Sequence, residues 1–216
     1  IKVDQGLILI DAPFLHDDIQ AWRKTTTALG DDLPNKLLVM LDTHIDRLLG
    51  VRAFEMDVLG HQSAIDILTN RTTTIRTQDI DCGAAYTPDE LSTTIHWPVP
   101  NLSYSDQVRL YWDDEPLLIT HQPGVHAAGS WLDFRSQKIV FVGDSVVLHQ
   151  PPFLAWADLD VWIAELTWLV SDVYKGYKIV SGRSGVVTKR SIDWMLRFLL
   201  TVKEVVVDLA HCENRS

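Results

Sequence analysis

Asp42-Thr43-His44-Ile45-Asp46-Arg47 stands between the apolar run Lys36-Leu37-Leu38-Val39-Met40-Leu41 and the turn Leu48-Leu49-Gly50. An unbroken apolar run of this length reads as a strand buried on both faces. Polar groups packed at the C-terminal end of such a strand are what an α/β site needs: the strand fixes the backbone while the loop brings several side chains to one point. Upstream, Gly6-Leu7-Ile8-Leu9-Ile10-Asp11 is a second such strand. Between the two the spacing predicts a helix over residues 17–29, with Ile19, Trp22, Thr26 and Leu29 along one face. Strand, helix, strand is a βαβ unit, so the two strands are expected to be parallel neighbours.

Downstream, residues 48–54 read as a helical turn, 56–59 as a strand and 62–70 as a helix. Residues 93–97, 107–112 and 116–121 read as short strands at hairpin spacing, and residues 130–134 and 138–142 continue a sheet around Arg135-Ser136-Gln137. The helical period returns at Asp158, with Leu159, Trp162, Ile163, Leu166 and Val170 on one face. A strand at 177–180, the loop Ser181-Gly182-Arg183-Ser184-Gly185, a helix over 188–202 and the apolar run Val205-Val206-Val207 complete the chain. No repeat, linker or low-complexity stretch interrupts it. The expectation is one domain over residues 1–216, α/β, with helices outside and two mixed sheets between them.

Composition narrows the function. With 216 residues, 46% of them hydrophobic and eight Trp, the chain is long and apolar enough for a substantial core. A net charge of −10 and a pI near 5.1 argue against a general nucleic-acid or anionic-membrane surface, since both need clustered cations. Cys82 and Cys212 make neither a disulfide framework nor a paired-cysteine metal motif, which fits a reducing, cytoplasmic setting. No stretch approaches the length of a membrane span. The Gly-x-Ser-x-Gly pattern of a serine hydrolase is absent around Ser145 and Ser184.

Four strand-terminal loops carry groups suited to a cation: Asp42/His44/Asp46, the stretch Gly124-Val125-His126-Ala127-Ala128-Gly129-Ser130, Gly143-Asp144-Ser145, and the loop around Arg183. Asp42, His44 and Asp46 alternate, so an extended chain would turn all three to one side. Imidazole with carboxylate suits zinc, manganese or iron, with water activated by the ion as the nucleophile.

In this order the loops resemble the metallo-β-lactamase superfamily, over nearly the whole chain. The family's His-x-His-x-Asp-His motif, followed by Gly, aligns with the stretch from Asp42 to Gly50. Its Gly-His-Thr-Pro-Gly-Ser segment is similar to Val125-His126-Ala127-Ala128-Gly129-Ser130, its strand ending in Gly-Asp to Val140-Phe141-Val142-Gly143-Asp144, and its late Pro-Gly-His-Gly loop to Ser181-Gly182-Arg183-Ser184. The resemblance implies an αββα sandwich with a one- or two-metal site at the sheet edge, usually used to hydrolyse esters (lactones included), amides, thioesters or phosphodiesters. It assigns Asp42, His44 and His126 to the first metal, and Asp46, Arg47, Asp144 and Arg183 to the positions around the second.

Two of those positions have changed kind. Arg47 and Arg183 stand where the pattern has His, and a guanidinium neither loses its proton nor coordinates. A full two-metal centre is not expected. One divalent ion, zinc first and manganese or iron after it, is expected among Asp42, His44, Asp46, His126 and Asp144. Asp46 would act as a base toward water, and Arg47 and Arg183 would hold a small-molecule substrate, an anionic one included. Two readings follow: a mononuclear hydrolase, or a domain that has kept the fold, lost the chemistry and serves as a binding or structural module, with the arginines closing salt bridges on the carboxylates. Among the other candidates, His61 reads as a capping or surface group and His121 as packing beside the site. His149, Trp97 and Trp156 lie near loops that border it.

Overall fold

A computed structural model of the chain describes residues 1–30, 33–71 and 97–213. The first sheet holds β1 (Lys2–Val3), β2 (Gly6–Ile10), β3 (Asn35–Val39), β4 (Asp57–His61) and β5 (Leu102–Tyr104) in that spatial order. β1 pairs antiparallel with β2, and every later neighbour in this sheet is parallel. Helix α1 (His16–Gly30) is the crossover between β2 and β3, as the βαβ reading required. Helix α2 (Ile45–Leu48) and a 3-10 turn at Val51–Ala53 follow β3, and α3 (Gln62–Asn70) follows β4.

The second sheet runs, in space, from β11 (Gly185–Val187) through β10 (Lys178–Ser181), β9 (Ile139–Phe141), β8 (Ser130–Phe134) and β7 (Leu117–His121) to β6 (Gln107–Leu110). Only the β9–β10 pair is parallel; the rest are antiparallel. Both sheets are thus mixed. Helices α4 (Leu159–Leu169) and α5 (Lys189–Glu213) cover the second. The expected strand at 93–97 falls, except for Trp97, outside the described residues, as does Cys82.

The unbroken apolar strands are explained by three apolar layers. Leu7, Leu9, Leu38 and Met40 face outward against Ile45, Leu48, Ala64 and Leu68 of α2 and α3. Their neighbours Ile8, Leu37, Val39 and Leu41 face inward against Leu117, Ile119, Leu132 and Phe134 of the other sheet. On that sheet's far side Trp131, Val140 and Ile179 meet Trp162, Leu166, Ile192, Met195 and Leu199. Alternate residues of one strand therefore bury into different layers, which is the period-two geometry of a strand. Each such side chain contributes about 1.5–3 kcal/mol of burial. The architecture is α/β, an αββα sandwich, as expected from the sequence.

Two helices depart from the sequence reading. The apolar face of α1 is amphipathic as expected, yet Trp22 and Leu29 remain 39% and 47% exposed. They wall a cavity instead of filling a core. α5 runs on through Val205-Val206-Val207, which are 52%, 53% and 43% exposed, beyond its last core residue Leu199. No helix among the described residues is long and apolar enough to cross a membrane.

Candidate metal centre

The site forms where the sheets' C-terminal strand ends meet. After β3 the chain stays extended as far as His44, which has φ −65° and ψ 137° and is the N-cap residue of α2. Asp42 Oδ1 accepts the His44 backbone N–H at 2.9 Å, fixing the carboxylate so that Oδ2 lies 3.1 Å from His44 Nδ1. From the second sheet, the 3-10 turn Gly143–Ser145 delivers Asp144. Gly143 has φ +53°, a conformation that favours glycine. Two indoles pin the turn: Trp131 Nε1 donates to Ser145 Oγ at 2.8 Å and Trp162 Nε1 to the Ser145 carbonyl at 2.9 Å.

Asp42, His44 and Asp144 together present three buried ligand atoms within 4.8 Å of one another. His44 Nδ1 lies 3.1 Å from Asp42 Oδ2 and 3.5 Å from Asp144 Oδ2. Bonds of about 2.0–2.1 Å in a tetrahedral shell put ligand atoms about 3.3 Å apart. These two separations therefore match the edges of such a shell. His44 is only 3% exposed, its Nε2 has no hydrogen-bond partner among the described residues, and its Nδ1 faces the Asp42 and Asp144 carboxylates. A buried imidazole left in that state costs stability unless something else engages it. These donors fit a divalent ion.

The two arginines occupy the rest of the space. Arg47, 5% exposed, reaches Asp11 Oδ2 with Nη1 at 3.3 Å and Asp144 Oδ1 with Nη2, and its Nη1 passes 3.8 Å from Asp42 Oδ2. Arg183 donates from Nε to Asp144 Oδ2 at 2.8 Å and closes a two-pronged pair on Asp46, with Nη1–Oδ2 at 2.6 Å and Nη2–Oδ1 at 3.2 Å. Gly182 lies against the Arg47 guanidinium, where a Cβ would collide with it. Four carboxylates, Asp11, Asp42, Asp46 and Asp144, thus face two guanidinium groups, leaving two negative charges that one divalent ion would cancel.

Protons offer the other way to cancel them. Burial works against a charged His44, but the neighbouring Asp42 carboxylate outweighs it and the pKa is raised. Burial pushes Asp11 up to about 7 against the pull of Arg47. Asp42, although buried, is held well below the usual carboxylate range by His44 and Arg47.

Two expected ligands lie elsewhere in this arrangement. Asp46 does not join Asp42 and His44 on one side, because α2 begins at Ile45 and ends the alternation; it turns to Arg183 instead. His126 comes close, its ring centroid 5.4 Å from that of His44, yet both of its nitrogens are engaged. Nδ1 accepts the Ala128 N–H at 3.0 Å, which leaves Nε2 protonated and donating to Thr43 Oγ1 at 3.1 Å. Burial pushes its pKa down to about 4.

Three contributors escaped the sequence reading. Asp11 follows β2 as Met40 follows β3, and its Oδ1 accepts the Leu41 N–H at 2.8 Å; the signal was the acid closing an apolar strand one position over in the sheet. Thr43, fully buried, orients His126. Phe153 stands edge-on to His44 at 5.9 Å between centroids, and no residue pattern announces it. His61 caps α3 by accepting the Ser63 N–H and stacks on His121 with centroids 3.5 Å apart. His121 Nε2 meets the Ala127 carbonyl at 2.9 Å, so it packs beside the site. His149 and Trp156 are exposed, and Trp97 is buried in the core.

No protein-family model matches the sequence, and no curated protein matches it. Solved structures do. The DIM-1 metallo-β-lactamase gives a TM-score of 0.68 at 14% identity, covering 93% of this chain and 83% of that one. A metallo-β-lactamase from Pontibacter korlensis gives 0.65 at 19% identity, with 93% and 85% covered. A metallo-β-lactamase family protein from Thermus thermophilus gives 0.66 at 14%, with 93% and 73% covered. The fold is that of the metallo-β-lactamases. On this metallo-β-lactamase fold the ordered loops meet at the sandwich edge, and Arg47 and Arg183 sit among the carboxylates. Identities this low carry the fold and leave the substrate open.

Proposed function

We propose that this protein is a divalent-metal hydrolase with a single ion held by Asp42, His44 and Asp144, acting on a small-molecule ester, lactone, thioester or phosphodiester. The observation that carries the reading is His44: a buried imidazole whose Nδ1 sits at tetrahedral-edge distances from two carboxylates while its Nε2 has no hydrogen-bond partner among the described residues. Zinc suits a small imidazole and carboxylate shell, and manganese or iron would also be accepted. A divalent ion held there would supply Lewis acidity toward a carbonyl or phosphoryl oxygen and toward water.

The chain's own groups do the rest. Asp46, held by both terminal nitrogens of Arg183, is the base assigned to take a proton from water. Arg47 and Arg183 fix Asp144 through both of its oxygens, so that carboxylate cannot swing away from His44. Their remaining N–H groups would steady charge developing on the substrate oxygen. His126, neutral and held between Thr43 and Ala128, could join the ion only by giving up the Thr43 contact.

The second reading, a binding or structural module without chemistry, draws on the same ion pairs: protonated His44 and Asp11 with the two arginines neutralise the four carboxylates unaided. Elemental analysis of protein purified without added metal or chelator, followed by an esterase, lactonase, thioesterase and phosphodiesterase screen, separates the two. A hydrolase shows close to one equivalent of metal and activity abolished by chelation and restored by zinc. A module shows neither.

A further inference from the structure

Helix α5 runs past the core it packs on. Its buried face is made by Ile192, Met195 and Leu199, and from Leu200 to His211 none of its residues is buried. At 1.5 Å per residue that segment is about 18 Å of helix. A second apolar stripe lies along it. Trp194, Phe198, Val202, Val205 and Leu209 follow at intervals of four, four, three and four residues, which lines them up about a quarter turn round the helix from the buried face. The last four have the alternating spacing of a coiled-coil seam. Trp194 and Phe198 stack with ring centroids 5.8 Å apart, and Trp194, Val205 and Leu209 are 46%, 52% and 60% exposed. A continuous apolar stripe facing water marks an interaction surface. Leu200 and Val207, exposed on the opposite side of α5, make no such run.

Charge and register fit a second copy of this chain. Between Trp194 and Leu209 the helix carries Arg197, Lys203, Glu204 and Asp208, two charges of each sign, on a chain of net charge −10. This face therefore adds no net charge to an encounter between two copies. With two α5 helices antiparallel about a two-fold axis, Phe198 of each meets Leu209 of the other and Val202 meets Val205, so the stripe is its own complement. The same register brings Arg197 within a helical turn of Asp208 of the other copy, on one flank of the seam and twice by symmetry. Neither residue has an ion-pair partner of its own among the described residues. A parallel pair would set Asp208 level with Asp208 and leave both charges unanswered.

We propose that this protein forms a two-fold dimer through α5, the helices antiparallel and the stripe from Trp194 to Leu209 at the interface. The stripe offers about 400–500 Å² of exposed apolar side chain per copy, so a pair buries about 1,000 Å², the lower limit of a specific interface. The dimer is accordingly reversible, with a Kd on the order of 10 μM.

Sedimentation equilibrium of the full chain from about 1 to 200 μM should show this monomer–dimer exchange. Val205→Lys puts a charge into the seam and should raise Kd by at least about tenfold, whereas Val207→Lys, on the opposite side of the same exposed segment, should leave it within about twofold. Leu209→Lys, further from the core, repeats the first test, and circular dichroism of all three checks that α5 stays helical. Arg197→Glu should weaken pairing by about tenfold, and Arg197→Glu/Asp208→Arg should restore it. A parent that stays monomeric at the highest concentration overturns the proposal, whatever else then covers α5. So does a dimer that Val205→Lys and Val207→Lys affect alike while both remain helical. A dimer indifferent to Arg197→Glu, or not regained in the double variant, overturns the antiparallel register.

Discussion

Arg183 reaches across 137 residues of chain to clamp Asp46 with both terminal nitrogens, at 2.6 and 3.2 Å, while its Nε holds Asp144 at 2.8 Å. One side chain thus joins the loop after β10, the N-terminal turn of α2 and the turn after β9. Its side chain is 15% exposed, and that of Asp144 is 5%. Removing one partner of such a cluster leaves carboxylates facing each other in a poorly solvated place. Arg183→Ala should lower the unfolding free energy of chelator-treated protein by about 3 kcal/mol, measured by urea titration. A loss below about 1 kcal/mol would mean the pair behaves like a surface salt bridge.

His126 predicts an acid limb. Burial holds its pKa near 4, below its ordinary value of 6.5. The folded state binds this proton less readily than the unfolded chain, so the stability involved is fully present above pH 6.5 and is lost as pH falls through 4. The difference amounts to about 3 kcal/mol. His126→Gln keeps an acceptor and a donor but does not titrate, so the stability gap between it and the parent should shrink or reverse between pH 6.5 and 4. Parallel curves in urea midpoint against pH would show that His126 is not held neutral.

Much of this architecture was legible from the chain. The runs ending in Asp11 and Leu41 could only be strands buried on both faces, and the periodicity from Asp158 onward marked α4; that Asp158 caps it is a finding of the structure. What escaped depended on where a local rule gives way to its surroundings. Alternation put Asp42, His44 and Asp46 together, but the helix begins one residue after His44. Amphipathic spacing found α1 without revealing that its apolar face would border open space, since periodicity reports a helix's own stripe and not what stands opposite. Asp11 enters the site through the parallel register of β2 on β3, a nonlocal fact.

Metal uptake should release protons. His44 has a raised pKa because Asp42 outweighs the effect of burial, and an imidazole must be unprotonated to coordinate. Affinity for zinc should therefore rise with pH. Calorimetry near pH 6 in two buffers of different ionisation enthalpy should show about one proton or more released per ion. Binding without proton release would mean that His44 is already neutral or is not a ligand.

The arginines allow the most direct test of what this site has become. Arg47 and Arg183 fill the region between Asp46 and Asp144, and neither guanidinium can coordinate. Replacing both by His would put imidazoles near two carboxylates that both now bond the Arg183 guanidinium, and would remove two fixed positive charges that repel a cation. The Arg47 side chain is packed against Gly182, so the shorter imidazole enters space already cleared of side-chain atoms. Arg47→His/Arg183→His should bind two equivalents of zinc where the parent binds at most one, measured by native mass spectrometry and calorimetric titration. Arg183→His alone should gain less than a full equivalent, since Arg47 would still hold Asp144 Oδ1. Two equivalents in the unmodified protein, or no gain in a folded double variant, would show that these arginines do not stand where a second ion would bind.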